Sequence, residues 1–213
     1  MTSWSDRAEA YRESPLHREG QDLDLIIEWA EPGPGRTALD VATGGGHVAR
    51  RLREAGCVVV SCDPAPGMKP DVICRGEELP FADGSFDVVA TRIAAHHFAD
   101  VSAAVREMAR VSRDLVLVED TLYESEQVEE AERLHDPTHV RSYSEGEWRG
   151  FLDAAGLGLE DVTFVERKQP LEAWLARTGC EGHDAERVRE LLAHRIEGET
   201  IRDTKILLKA RKE

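Results

Sequence analysis

The feature that most constrains this chain is a strand, a glycine turn and a helix that follow one another over residues 37–49. A short apolar run ends in the acid Asp40, glycines occupy positions 44–46, and Val48 and Leu52 then lie at helical spacing. Glycine lets the backbone approach a ligand closely, because a Cβ atom there would collide with it. The amides at the helix N-terminus point into the same space. This order predicts the opening of a nucleotide-binding α/β unit.

Two classes of ligand use such a turn, and Asp40 bears on the choice between them. The pattern Gly44-x-Gly46-x-x-Ala49 fits a loose form of the dinucleotide fingerprint. A carboxylate directly before the turn would repel a pyrophosphate, whereas it suits a ligand that carries an ammonium or a sulfonium. The sequence therefore favours S-adenosylmethionine over a nicotinamide dinucleotide. A turn that only packs helix against strand is the third interpretation, and three adjacent glycines disfavour it.

Further apolar runs alternate with helical patterns along the chain. The predicted strands are residues 37–40, 58–63, 71–75, 86–91, 115–120, 162–165 and 206–208. Ser144 and Glu147 form a capping box before a helix through Ala155. The alternation predicts one α/β domain over residues 1–213, a doubly wound, mostly parallel seven-stranded sheet with helices on both faces. Within it we expect residues 1–30 to form a helical lid and residues 121–145 to be an insertion that lines the substrate pocket.

The connection between the second and third strands is unusually short. Only residues 64–70 separate Asp63 from Asp71, and they include three prolines and a glycine. A parallel crossover usually takes a dozen or more residues, commonly with a helix, and proline disfavours a regular helix. We therefore predict a short loop, with the helix missing and the third strand short. Either a neighbouring helix or a second copy of the chain, in a homodimer, would then cover this part of the sheet.

The amino-acid composition limits which classes of partner this chain is expected to bind. Lys and Arg total 27 against 42 Asp and Glu, which gives a formal net charge of -15. Such a surface disfavours nucleic acid and anionic membranes. The four cysteines show no C-x-x-C spacing and are expected to be reduced core thiols. Without a signal peptide or a long apolar run, the chain is expected to be soluble and cytoplasmic.

Several motifs together resemble a known enzyme family. Residues 39–46, Asp63, residues 79–87, residues 92–98 and residues 136–144 resemble the class I S-adenosylmethionine-dependent methyltransferases, in the small-molecule branch related to the ubiquinone and menaquinone C-methyltransferases. The likeness runs from about Tyr11 to the last strand. It implies methyl transfer to a hydroxyl, an amine or an activated ring carbon of a small molecule. The alternatives are a methyltransferase-like scaffold without methyl transfer and a nicotinamide-dependent oxidoreductase.

The resemblance also implies roles for residues around the cofactor. Asp40 and the backbone of residues 42–46 would hold the methionine end, and Asp63 would accept hydrogen bonds from the ribose. Where the family has an acid for the adenine amino group, this chain has Arg75, which cannot accept a hydrogen bond; we expect Glu77 to substitute and the adenine edge to be more open. The candidate cofactor residues are Asp40, Ala42, Thr43, Gly44, Gly46, Asp63, Pro64, Met68, Gly76, Glu77, Arg92 and Ile93.

Histidines supply the candidates for catalysis. His96 and His97 leave the C-terminal end of the fourth strand, which is the ligand edge of a doubly wound sheet. Adjacent residues leaving a strand diverge, so we expect His96 to face the methyl donor as general base and His97 to pack under the sheet. An unperturbed imidazole titrates near pH 6.5, which suits this role. His139 is the second catalytic candidate, Tyr11, His17, His97 and Arg141 are candidates for the pocket, and no metal site is predicted.

Overall fold

Eight strands form one mixed sheet in the computed structural model, which describes residues 4–13 and 15–212. The strands are β1 (Thr37–Val41), β2 (Val58–Asp63), β3 (Val72–Ile73), β4 (Phe86–Arg92), β5 (Ser112–Thr121), β6 (Leu157–Pro170), β7 (Ile196–Glu197) and β8 (Thr200–Lys212). Their order is β3-β2-β1-β4-β5-β8-β6, and β7 forms a short hairpin with β8. The first five strands are parallel, and β8 runs antiparallel to both β5 and β6.

The helices of the described residues are α1 (Trp4–Glu13), α2 (Pro15–Arg18), α3 (Gln21–Trp29), α4 (His47–Glu54), α5 (Val101–Val111), α6 (Glu126–His135), α7 (Glu145–Ala154), α8 (Leu171–Thr178) and α9 (Gly182–Leu191). The apolar stripes of α3 and α4 pack on one face of the sheet, and those of α5 and α7 pack on the other. The capping box at the start of α7 is formed as predicted, with the Ser144 side chain accepting from the Glu147 amide. The doubly wound α/β fold is confirmed; the additional strand is β7, which is only two residues long.

The connection between β2 and β3 contains a single 3-10 turn, Pro66–Met68, in place of a helix, as predicted. Helix α1 packs over it: Ala8 contacts Ala65 and Met68. The Gly67 amide donates to the Ser5 hydroxyl at 3.0 Å, and the Arg12 guanidinium donates to the Gly67 carbonyl at 2.9 Å. A neighbouring helix thus covers the loop within one chain. The homodimer stays a prediction.

Helices α6, α8 and α9 form a second apolar cluster at the end of the sheet where β6 and β8 lie. It includes Trp174, Leu175 and Leu192, all buried. The α6 helix belongs to the predicted insertion, while α8 and α9 come from the C-terminal third of the chain. These helices therefore build a wall beyond the carboxyl ends of the central strands.

The cysteines are free thiols, and three of the four are buried. Burial raises the pKa of Cys62 and of Cys74, which keeps both thiols protonated at neutral pH. Within residues 4–13 and 15–212, the helices are too short or too polar for any of them to span a lipid bilayer.

Replacing Gly67 with alanine is expected to loosen α1, because the added Cβ would lie 2.5 Å from the Cα atom of Ser5. Overpacking costs about 1–3 kcal/mol, and α1 can relieve it by lifting away. Hydrogen–deuterium exchange should then show faster exchange of the α1 amides, while β1 and β4 stay protected. Gly33→Ala is the matched control, since nothing lies within 4 Å of a Cβ there. Equal protection of α1 in the two variants would contradict this docking.

Candidate active site

A cavity of about 310 Å³ opens at the carboxyl ends of β1, β2, β4 and β5. Parallel strands converge there, and the glycine turn after β1 forms one wall. The sequence-predicted residues that line it are Tyr11, His17, Asp40, Ala42, Thr43, Gly44, Asp63, Pro64, Met68, Gly76, Glu77, Arg92, Ile93, His96, His97 and His139. The structure therefore brings most of the predicted residues to one place.

Asp40 lies at the end of β1 and is almost fully buried. Its Oδ2 atom accepts hydrogen bonds from the Thr43 hydroxyl at 2.5 Å and from the Ala49 amide at 3.0 Å, so the carboxyl group ties the turn to α4. Burial raises the pKa of Asp40 to about 6, with the neighbouring Asp63 carboxylate contributing in the same direction. A cation beside this carboxyl group would favour its ionised form.

Asp63 is buried at the end of β2, next to the glycine turn. Its two carboxylate oxygens accept from the Gly44 amide at 3.0 Å and from the Ala65 amide at 2.9 Å. These bonds fix the orientation of the side chain. Each carboxylate oxygen has a second lone pair, so the group can still accept from a ligand hydroxyl.

Two residues without glycine's freedom adopt left-handed backbone at the cavity edge. Ala42 has φ 54° directly after β1, and Ile93 has φ 51° directly after β4. Such a conformation costs of the order of 1–3 kcal/mol for a residue with a side chain, and it often occurs at binding sites. Gly46 has φ 77° and precedes α4 as its N-cap, so it shapes the turn without lining the cavity.

The edge of the cavity around Gly76 is where the resemblance implies an adenine-binding acid. Gly76 is packed against Phe98, since a Cβ would lie 3.2 Å from that ring. Glu77 Oε1 accepts from the Ala99 amide at 2.8 Å, and it also pairs with the exposed Arg75 guanidinium at 3.4 Å. Glu77 lines the cavity, but its carboxylate already holds the loop before α5.

Arg92 is the last residue of β4, and its guanidinium is buried in a network of acids. It donates to Asp22 and, at 2.8 Å, to Glu119 Oε2. It also donates to the His17 carbonyl at 3.0 Å, which ties α2 to the sheet. Burial raises the pKa of Glu119 to about 8, and the Arg92 guanidinium beside it acts in the opposite direction.

His96 and His97 lie side by side in a 3-10 turn, Ala95–His97, and both line the cavity. Their ring centroids are 4.0 Å apart, so the prediction that His97 packs away from the cavity is wrong. The turn, unlike an extended strand, does not send adjacent side chains to opposite faces. His97 instead meets the Thr138 carbonyl at 3.0 Å and the ring of Trp4.

His96 forms a buried pair with Asp120, the acid near the end of β5. The Nδ1 atom of His96 lies 2.5 Å from Asp120 Oδ1, and the His96 amide donates to Asp120 Oδ2 at 2.7 Å. Burial lowers the pKa of His96, but the Asp120 carboxylate outweighs it, and the net effect is a raised pKa. With Nδ1 engaged by Asp120, Nε2 is the nitrogen available to accept a proton.

The remaining predicted residues fall into two groups. His139 lines the cavity, and its Nε2 lies 3.0 Å from Glu129 Oε2. Arg141 does not line the cavity; its guanidinium pairs with Glu147 at 2.7 Å on the outer side. In the described part of the chain, no group of three or more His, Cys, Asp or Glu side chains is arranged to hold a metal ion.

The N-terminal helices close one side of the cavity. The Tyr11 carbonyl lies 3.0 Å from His47 Nε2, directly over the glycine turn. A Cβ on Gly45 would lie 2.8 Å from that carbonyl, so this glycine permits the close approach of α1. Trp4 also lines the cavity, although no sequence pattern predicted it as a site residue.

A second part of the wall was also missed by sequence reasoning. It comes from β6, α8 and β8, and its members are Arg167, Gln169, Trp174, Arg177, Asp203 and Lys205. The alternation of Arg167 and Gln169 along β6 was a signal that both lie on one face. Their side of the sheet depends on the register of β6 with β8, which pairs Arg167 with Asp203.

Comparison with known proteins agrees with this geometry. Residues 39–118 match the family described as a methyltransferase domain. The uncharacterized methyltransferase YcgJ of Bacillus subtilis is 33% identical over 216 residues, which cover 91% of this chain and 84% of YcgJ. A demethylmenaquinone methyltransferase of Corynebacterium kroppenstedtii is 37% identical over 89 residues, or 38% of this chain and 39% of that enzyme.

Solved structures give the same result. The crystal structure of YcgJ superposes with a TM-score of 0.83 at 27% identity, covering 90% of this chain and 98% of that one. A putative methyltransferase of Bacillus halodurans superposes with a TM-score of 0.79 at 28% identity, covering 91% and 99%. The family predicted from the sequence motifs is confirmed. The chain belongs to the class I S-adenosylmethionine-dependent methyltransferases, in the group that includes YcgJ.

Proposed function

We propose that this protein transfers a methyl group from S-adenosylmethionine to a small-molecule acceptor, with His96 as general base. The observation that carries the proposal is the buried Asp40 carboxyl group at the glycine turn, beside Asp63 at the end of the next strand. These two carboxyl groups can accept hydrogen bonds from the ammonium and the ribose hydroxyls of a ligand. A dinucleotide would instead bring its pyrophosphate against Asp40, which disfavours the nicotinamide-dependent alternative.

In this proposal each part of the cavity has one task. Asp40 and the backbone of residues 42–44 would hold the amino-acid end of the cofactor, Asp63 would accept from the ribose, and Met68 would flank the adenine. The bound cofactor supplies an electrophilic methyl group on sulfur. The chain positions the acceptor in line with that group, since methyl transfer needs the reacting atoms about 3 Å apart and aligned.

His96 and Asp120 carry the proton transfer. The Asp120 carboxylate accepts from Nδ1 and holds the imidazole in the tautomer whose Nε2 can take a proton from an acceptor hydroxyl. The same carboxylate stabilises the imidazolium that then forms. Tyr11, His17 and His97 are proposed to wall the acceptor, under the lid formed by α1 and α2. His139, which Glu129 holds in place, is the second catalytic candidate.

A homodimer remains a prediction, and measurement of the mass in solution would test it.

We expect calorimetry to show binding of S-adenosylmethionine and S-adenosylhomocysteine but not of NAD. Binding should weaken as the pH falls below about 6, because the free Asp40 carboxyl group takes up a proton there and loses its attraction for the ammonium. The loss approaches about tenfold per pH unit. Asp40→Asn should bind weakly with little pH dependence, whereas Asp161→Asn, an exposed acid on β6, should behave as wild type. Binding of NAD alone would refute the proposed cofactor.

We expect His96→Gln to lower turnover by roughly 10²–10⁴-fold with an acceptor found by screening phenols, quinols and amines. The wild-type rate should rise with pH through a pKa above 6.5, since only the neutral imidazole accepts a proton. Asp120→Asn should shift this rise to lower pH, because the carboxylate that raises the pKa of His96 is gone. His183→Ala, an exposed histidine on α9, is the control. Unchanged turnover in His96→Gln would rule out His96 as the base.

A further inference from the structure

The wall formed by β4, β6, α8 and β8 brings four cations to one side of the cavity. They are Arg92, Arg167, Arg177 and Lys205, and each of them lines it. Arg92, Arg167 and Lys205 have buried side chains. This concentration of positive charge contrasts with the net charge of -15 carried by the whole chain. In so acidic a protein, a cluster of cations inside a cavity requires a local explanation.

Three of these cations have carboxylate partners. Arg92 lies against Asp22 and Glu119, as described above. Lys205 Nζ lies 2.7 Å from Asp203 Oδ2. Arg167 Nη1 lies 3.4 Å from Asp22 Oδ2, so Asp22 serves two guanidinium groups at once.

Arg177 has no such partner among residues 4–13 and 15–212. Its Nη2 donates to the amide oxygen of Gln169 at 2.6 Å, and none of the described side chains places a carboxylate within 4 Å of its guanidinium. Burial lowers the pKa of Arg177; Arg167 acts in the same direction, and Tyr11 and Asp203 act in the opposite direction. Gln169 thus fixes the direction of the side chain without neutralising it. A guanidinium that is half-buried and oriented in this way can bind a carboxylate or a phosphate through two parallel hydrogen bonds.

The titratable groups around the four cations also bear on how Arg177 is surrounded. The carboxyl groups paired with Arg92, Arg167 and Lys205 are Asp22, Glu119 and Asp203, and burial raises the pKa of Glu119 to about 8. Burial, and then the charges of Arg177, Arg167, Arg92 and Lys205, hold the pKa of His17 well below the usual range. Glu132 and Asp136 also line the cavity, from α6 and the residue after it, and neither is within ion-pair distance of Arg177.

Two structural roles could place an arginine here without a ligand. Arg177 lies in the last turn of α8, where a cation interacts favourably with the helix dipole. Asp203 is near enough to raise the pKa of Arg177, although the two do not touch. The helix dipole is satisfied equally well by a solvated side chain, and Asp203 is already paired with Lys205. Neither role requires the guanidinium to line the cavity.

We infer that this wall binds an anionic group of the methyl acceptor, a carboxylate or a phosphate that pairs with Arg177 while the reacting hydroxyl or amine faces His96. The inference rests on the proposed function, since that function makes the ligand a methyl acceptor. It narrows the substrate class to small acids. Gln169 holds the guanidinium in position, and Arg167 and Lys205 add to the positive field.

The test is calorimetry on the full chain loaded with S-adenosylhomocysteine, using matched pairs of probes. The pairs are hydroxylated and aminated benzoates against their amides, and phenyl phosphate against phenol, so that carboxylate and phosphate ligands are separated. We expect at least one acid to bind about tenfold or more tightly than its neutral partner, which corresponds to about 1.4 kcal/mol. Arg177→Gln should remove that preference, and Arg177→Lys should retain part of it. The affinity for S-adenosylhomocysteine should stay the same in both.

Arg187→Gln, an exposed arginine on α9 paired with Glu130, is the matched control and should keep the preference. Equal binding of acids and neutral partners, a preference that survives Arg177→Gln, or no binding of any acid would overturn the inference. The two proposals fail differently. If acids bind through Arg177 but the cofactor does not bind, the anion site stands and the methyltransferase proposal fails. If the cofactor binds and neutral compounds are methylated, the methyltransferase proposal stands and the anion site fails.

Discussion

The parallel, in-register pairing of β1 with β2 and β4 determines where the rest of the structure lies. Asp40 is opposite Ser61 on one side and Ala90 on the other, so the three strands end at nearly the same level. Because helices cover both faces of a parallel sheet, the polar residues of these strands emerge at the carboxyl edge. Asp40, Asp63 and Arg92 therefore meet around one cavity. The glycine turn then leaves that edge open to a ligand.

The cavity is built from charges that would be costly to bury alone. Each of Asp40, Arg92 and Asp120 is buried with hydrogen-bond partners, which is the condition under which a protein tolerates such groups. Glu119 and Asp22 both lie against Arg92, and Asp22 also lies near Arg167. On the far wall, Arg177 is held by the neutral amide of Gln169, whereas Arg92, Arg167 and Lys205 have carboxylate partners. The two proposals place the cofactor's ammonium group at the Asp40 end of the cavity and an anionic group of the acceptor at the Arg177 end.

Short-range patterns in the sequence were enough to predict the architecture. The period of the apolar residues gave the strands and helices, and the capping box at Ser144 gave the start of α7. The prolines of residues 64–70 predicted the missing helix, because they remove backbone donors whatever the tertiary context. The acids at strand ends pointed to the cavity, since parallel strands align their carboxyl ends. All of these rest on local geometry that few residues decide.

The composition of the far wall was decided by the tertiary structure alone. Arg177 reaches the cavity only because β6 and β8 pair in a particular register and α8 folds back over them, more than a hundred residues after the glycine turn. The positions of His97 and Arg141 also became clear only in the structure. A 3-10 turn places His97 beside His96, and Glu147 holds Arg141 outside the cavity. The sequence by itself determined the sheet, the glycine turn and the family, because these follow from periodicity and backbone sterics. Which charges face the acceptor depends on long-range packing, because a side chain's surroundings are set by strands distant in the chain.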